Sequence, residues 1–154
     1  MTLSPQPQFD FPVCLQLGGW PVLVVGAGPP VVRRVSALLS AGAKVCVVAP
    51  EACPELVALA AQGGVRWEQR AFVPDDLTGV RLVFAATDDR EANRQIGAAA
   101  RDAGVLVNVS DDPKHCEFTM PAVHRRGNLC LAVSTNSTAP AEAIRVRDQL
   151  AKLV

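Results

Sequence analysis

The sequence predicts an α/β fold, a doubly wound parallel sheet followed by a smaller C-terminal hairpin and helix. Short, wholly apolar runs recur, such as Val22-Leu23-Val24-Val25, Val45-Cys46-Val47-Val48 and Leu82-Val83-Phe84-Ala85-Ala86. Each has the length and composition of a strand buried on both faces. Segments at helical spacing separate them, as Val31, Val35, Leu38 and Leu39 do before Ala41-Gly42. The first run ends directly on Gly26-Ala27-Gly28, a tight strand-to-helix turn whose free N–H groups suit a phosphate.

Taken in order, residues 1–10 are polar and proline-bearing and read as a flexible tail. Structure is expected from Phe11, with Phe11 to Leu17 and then the strand Pro21 to Val25. A helix through Val35 leads to the strand at Val45, Pro54 opens a second helix to Gln62, and Val65 to Gln69 is a third strand before a loop at Pro74-Asp75-Asp76. Leu82 to Ala86 follows, then a helix capped by Asp88 or Asp89 and running to about Arg101, then Val105 to Val109. Alternation of this kind gives a parallel sheet covered on both faces. Residues 11–113 are thus assigned to a dinucleotide-binding domain of Rossmann type.

Residues 114–154 differ. Glu117 to His124 and Leu129 to Ser134 read as two strands around Arg125-Arg126-Gly127-Asn128, a hairpin turn because glycine and asparagine tolerate positive φ. A polar loop, Ser134 to Thr138, leads to a last helix from about Pro140 to Leu153 with Ile144, Leu150 and Leu153 as its apolar stripe. A hairpin and one helix bury little alone, so this segment is expected to dimerise with a second copy.

Composition excludes several classes. The chain has 154 residues with 15 basic and 15 acidic side chains, so no net field draws it to nucleic acid or an anionic membrane. No apolar run approaches the ~20 residues of a membrane span, and the first eleven residues lack a secretory signal pattern. The five cysteines have no CxxC spacing and only two histidines are present, which argues against a closed zinc site and for a cytoplasmic protein. The metal-ligand set is unknown from sequence.

The nucleotide turn departs from the G-x-G-x-x-G pattern. Val31 occupies the third glycine position, which is expected to push the helix from the strand or force a local adjustment. Pro29 and Pro30 remove two N–H donors, although proline suits a first helical turn. A ribose-binding acid belongs roughly 20 residues on; Glu51 is close, with Ala49-Pro50 at the strand tip. NAD is therefore expected ahead of NADP, which is not excluded. The cofactor set is Gly26, Gly28, Pro29, Pro30, Val31, Pro50, Glu51 and Thr87. A structural glycine turn that binds no nucleotide is the bland alternative.

Together these residues resemble the precorrin-2 dehydrogenase and sirohydrochlorin ferrochelatase family, including the N-terminal part of bifunctional sirohaem synthases. The resemblance runs from about Phe11 to Leu150. It rests on Val25-Gly26-Ala27-Gly28, Val48-Ala49-Pro50, Phe84-Ala85-Ala86-Thr87-Asp88-Asp89, Asn108-Val109-Ser110-Asp111 with Pro113-Lys114, Phe118-Thr119-Met120-Pro121-Ala122 and Ala132-Val133-Ser134-Thr135. It implies NAD-dependent oxidation of precorrin-2 to sirohydrochlorin by a homodimer. Iron insertion is a second activity to be tested, with Fe2+ as substrate.

The resemblance makes Asp111 the catalytic carboxylate, a base suited to either step because both release protons. Pro113 biases Asp112 toward an extended backbone, so only one of the adjacent pair is expected to face the cleft. Asn108, Lys114, Ser134, Thr135 and Asn136 are the residues expected to bind the carboxylate-rich tetrapyrrole; Arg125 and Arg126 read first as a solvated hairpin tip. Asn136-Ser137 stands where the family carries a glycine pair. The chain also ends where many members continue, so precorrin methylation is not expected of it. Two other readings stay open: a non-catalytic nucleotide- or tetrapyrrole-binding module, and a chelatase alone.

Overall fold

Five strands form one parallel sheet in the computed structural model, which describes residues 10–154. The strands are β1 (Pro21–Val25), β2 (Lys44–Val48), β3 (Arg66–Glu68), β4 (Leu82–Ala85) and β5 (Leu106–Val109). They are ordered β3-β2-β1-β4-β5, all pairs parallel. Helices α1 (Pro29–Ser40), α2 (Pro54–Ala61) and α3 (Arg90–Asp102) join them. The expected 74–76 loop is a 3-10 turn, Pro74–Leu77, and among the described residues no regular element precedes β1.

Sequence alternation explains the two-layered core. Val22 and Val24 pack with Val31, Val35 and Leu38 of α1 on one face, while Leu23, Val25 and Val83 pack with Ile96 and Ala100 of α3 on the other. Each β1 residue reaches the face opposite its neighbour's, so a central strand must be apolar throughout.

Leu15–Phe118 forms one compact unit. It continues past residue 113 because the chain after β5 ties itself to that strand's outer edge. Glu117 N–H donates to Val107 O at 2.9 Å and Val107 N–H donates to the Glu117 carboxylate at 3.1 Å. Val109 N–H donates to Cys116 Sγ at 3.1 Å. An edge strand left open would expose such groups. This use of Glu117 is why the expected strand from Glu117 does not form and the hairpin starts later.

The second unit comprises residues 10–14 and Thr119–Val154. Its hairpin, β6 (Ala122–Arg126) and β7 (Leu129–Val133), turns at Gly127-Asn128, and α4 (Pro140–Leu150) packs on both strands. Ala143 is the buried residue of α4, whereas Ile144, Leu150 and Leu153 are exposed. The expected tail falls mostly on residues 1–9, outside the described residues. Asp10 is held: its N–H donates to Asn136 Oδ1 and its carboxylate accepts from Thr119 Oγ1, each at 3.0 Å.

Gly26 fixes the centre of the sheet. Its φ is +107°, and a Cβ placed there would lie 2.2 Å from the Ala86 carbonyl oxygen. Strain and overlap together each cost of order 1–3 kcal/mol. Gly26→Ala is therefore expected to lose about 2–6 kcal/mol, read as a lower urea midpoint with an unchanged m-value.

Candidate functional site

The carboxyl ends of β1, β2 and β4 enclose a mainly apolar cleft of about 900 Å3, a volume suited to a small organic ligand. It opens where strand order reverses between β1 and β4, the usual ligand position in an open α/β sheet. Gly26 to Pro29 form one wall, Pro50 to Cys53 a second and Ala86 to Asp89 a third, with Phe72 and the Ala92, Gln95 and Ile96 side of α3 beyond. The walls are tied together: Cys53 N–H donates to Ala27 O at 3.0 Å, Gly26 N–H to Val48 O at 2.9 Å and Ala86 N–H to Val25 O at 2.8 Å.

The two prolines open α1 as its first helical residues, with Gly28 at the N-cap. Val31 N–H turns back to Gly28 O at 2.9 Å. The helix end therefore offers fewer donors than a typical one. Among the described residues, however, the N–H groups of Ala27 and Gly28 make no hydrogen bond. A Cβ on Gly28 would meet only Pro30 Cδ, at 3.7 Å, so the approach to this turn is open. These amides, the cleft's size and its apolar walls fit a dinucleotide. Val31 causes no packing defect. It is 2% exposed and lies in the α1–sheet core, so the valine fills the interface that a third glycine closes by contact.

Asn93 shapes the third wall, a residue sequence reading passed over. It is 2% exposed. Its Oδ1 accepts from Thr87 N at 2.9 Å and Thr87 Oγ1 at 2.7 Å, and its Nδ2 donates to Thr87 O at 2.9 Å. Asp89 caps α3, accepting from Glu91 N at 2.8 Å and Ala92 N at 3.2 Å. The capping aspartate was legible. The asparagine four residues later looks like a surface helix position until the loop's orphan groups are counted.

After β5 the backbone turns instead of running extended. Asp111 has φ +58° and Asp112 N–H returns to Val109 O at 3.3 Å. This corrects the extended-segment expectation: Asp takes the left-handed region more readily than most residues, and the turn separates the two carboxylates. Asp112 is engaged, with Arg94 Nε 2.8 Å from Oδ2 and His115 Nδ1 2.8 Å from Oδ1. The His115 contact is close without the alignment of a hydrogen bond. Arg94, then His115, holds the Asp112 carboxyl down to about 2, which makes it a poor proton acceptor at neutral pH. Asp111 is exposed and, among the described residues, its side chain makes no hydrogen bond or ion pair.

Of the sequence-predicted cofactor residues, Gly26, Gly28, Pro29, Pro50, Glu51 and Thr87 line the cleft; Pro30 and Val31 do not. Asp111, Asn108 and Lys114 are not among its lining residues. Asn108 is 8% exposed, and its Nδ2 donates to Phe118 O at 3.0 Å. Lys114 lies in the exposed 3-10 turn after Asp112. Ser134, Thr135 and Asn136 belong to the second unit, where Ser134 Oγ accepts from Asn136 N at 3.3 Å and Thr135 Oγ1 accepts from Ala139 N at 3.2 Å. Nothing in the sequence pointed to Arg34, whose guanidinium lies over the Phe84 ring.

The Asp112 contacts carry a pH signature. Its folded pKa of about 2 lies below the ordinary 3.8, so its stabilisation is present above roughly pH 4 and fades as pH falls toward 2. Asp112→Asn is expected to flatten the decline of Tm over that range, measured by thermal melts from pH 5 to pH 2.

Comparison with known proteins places the chain. The family described as "Putative NAD(P)-binding" matches residues 13–122. Siroheme synthase 3 of Aeromonas hydrophila subsp. hydrophila is 43% identical over 143 residues, covering 93% of this chain and 31% of that protein. Siroheme synthase of Photorhabdus laumondii subsp. laumondii is 41% identical, covering 93% and 30%. The chain thus spans about a third of the length of these curated relatives. Among solved structures, "SirC, precorrin-2 dehydrogenase" superposes with a TM-score of 0.79 at 30% identity, covering 94% of this chain and 71% of that one. The chain belongs to the NAD(P)-binding family of precorrin-2 dehydrogenases and sirohaem synthases.

Proposed function

We propose that this chain oxidises precorrin-2 to sirohydrochlorin in sirohaem synthesis, with NAD as acceptor. The likeness to a precorrin-2 dehydrogenase across 94% of the chain carries the reading, and the cleft at the strand switch supports it. A bound nicotinamide supplies a two-electron hydride acceptor. The amides of Ala27 and Gly28 are the groups to hold a pyrophosphate. Glu51, Asp88 and Asp89 favour NAD over NADP: the cleft lining contains these carboxylates and no lysine or arginine, so a 2′-phosphate would meet only like charge.

Oxidation of the tetrapyrrole removes a hydride and a proton. Asp111 is assigned the proton, since Asp112 is held by Arg94 and His115. Iron insertion into sirohydrochlorin would use the same carboxylate to accept pyrrole protons, and is the secondary activity in this reading. Lys114, Asn108 and the Ser134-Thr135-Asn136 loop stay assigned to substrate, Asn108 by orienting the chain after β5. We further assign the chain to a homodimer, because Leu129, Ile144, Leu150 and Leu153 of the second unit are exposed apolar residues of the kind a second copy covers. Five free thiols suit the cytoplasm.

The test is anaerobic turnover of precorrin-2 with NAD, following NADH and sirohydrochlorin together. One NADH per sirohydrochlorin is expected. Asp111→Asn, which keeps the turn's shape, should lower kcat about 10²–10⁴-fold with NAD affinity unchanged. Tetrapyrrole binding without NAD binding or turnover would make the chain a binding module instead.

A further inference from the structure

Arg34 is a cation out of place. It lies three residues after Val31 on α1, whose Val31, Val35 and Leu38 face the sheet, and its guanidinium is drawn toward that face. Its Cζ sits 4.9 Å from the Phe84 ring centroid, and Phe118 meets Phe84 edge-on at 5.4 Å. Its Nη1 donates to Ser110 Oγ at a long 3.4 Å.

The other half-buried arginines are matched. Arg101 donates to His115 O at 2.8 Å, and Arg147 pairs with Asp148 at 2.8 Å. Among the described residues, Arg34 has neither a carboxylate within ion-pair distance nor a carbonyl. A guanidinium carries five N–H donors, and only one is used here. Burial lowers its pKa, against the raising influence of Asp111 and then Cys116. The desolvation of a half-buried cation is only partly offset until an anion completes it.

We propose that Arg34 binds a carboxylate side chain of the tetrapyrrole substrate, its plane fixed by Phe84 and Ser110 beside the Asp111 turn. The assignment rests on the proposed function and deepens it. Stacking on an aromatic face orients the fork, and a guanidinium can then take a carboxylate through two parallel hydrogen bonds. Ser110 is the residue before Asp111, so the same turn would carry the proton acceptor and fix the cation that holds the substrate. Arg34 acts here as a binding residue, not as a proton acceptor.

The experiment measures sirohydrochlorin and NAD affinity, by fluorescence and calorimetry, for the parent chain, Arg34→Met and Arg34→Lys. Arg34→Met should weaken sirohydrochlorin binding about 10–100-fold, the scale of a lost charged hydrogen bond. NAD affinity should stay within about twofold, Tm should be equal or higher because an unpaired cation leaves an apolar site, and Arg34→Lys should recover part of the loss. Unchanged sirohydrochlorin affinity in Arg34→Met, or parallel loss of NAD affinity and Tm, overturns the inference while the dehydrogenase reading stands. A parent chain that neither binds sirohydrochlorin nor oxidises precorrin-2 overturns both.

Discussion

The approach of Gly26 to the Ala86 carbonyl sets everything else in the larger unit. At that point the chain leaving β1 passes close to the chain leaving β4, one bound for α1 and the other for α3 on opposite faces of the sheet. A side chain at residue 26 would fill the gap between them. Its absence lets the two loops stay hydrogen-bonded at their roots and diverge above, and the divergence is the cleft. The cross-links from Ala27 to Cys53 and from Thr87 to Asn93 then hold the walls. The binding surface is thus made largely of backbone fixed by the sheet, which keeps the cost of ordering it on binding low.

Electrostatics sort the neighbouring groups by what they are free to do. Asp112 is held ionised by Arg94 and His115 and serves the structure. Asp111, one residue earlier, has a positive φ and, among the described residues, makes no side-chain hydrogen bond or ion pair. Arg34 is the converse case, a half-buried cation that, among the described residues, makes no ion pair. The two charges influence each other across adjoining parts of the larger unit without forming an ion pair.

Much of this was legible in the sequence. The apolar runs marked β1, β2 and β4, which are packed on both faces and tolerate few polar residues, while the short β3, Arg66–Glu68, was placed by its position between the second helix and the Pro74 loop. The glycine turn marked the cleft, and six of the eight predicted cofactor residues line it. Val31 misled because a pattern of glycines describes one way to close a helix on a sheet, and a well-packed valine is another. Glu117 read as a hairpin residue because nothing local announces that its carboxylate and N–H close the edge of β5. Asn93 and Arg34 were invisible because helical periodicity assigns such polar positions to solvent, whereas Asn93 is buried against the backbone of the Thr87 loop and Arg34 against Phe84 and Ser110, distant in the chain.

The central claim is that the cleft between the ends of β1 and β4 holds NAD. Calorimetric titration of NAD into the parent chain and into Ala92→Trp, which places an indole in the cleft from α3, tests it most directly. The account predicts one NAD per parent chain and no measurable binding to Ala92→Trp at an unchanged Tm. Equal affinity in both proteins, or no binding to the parent, would contradict it.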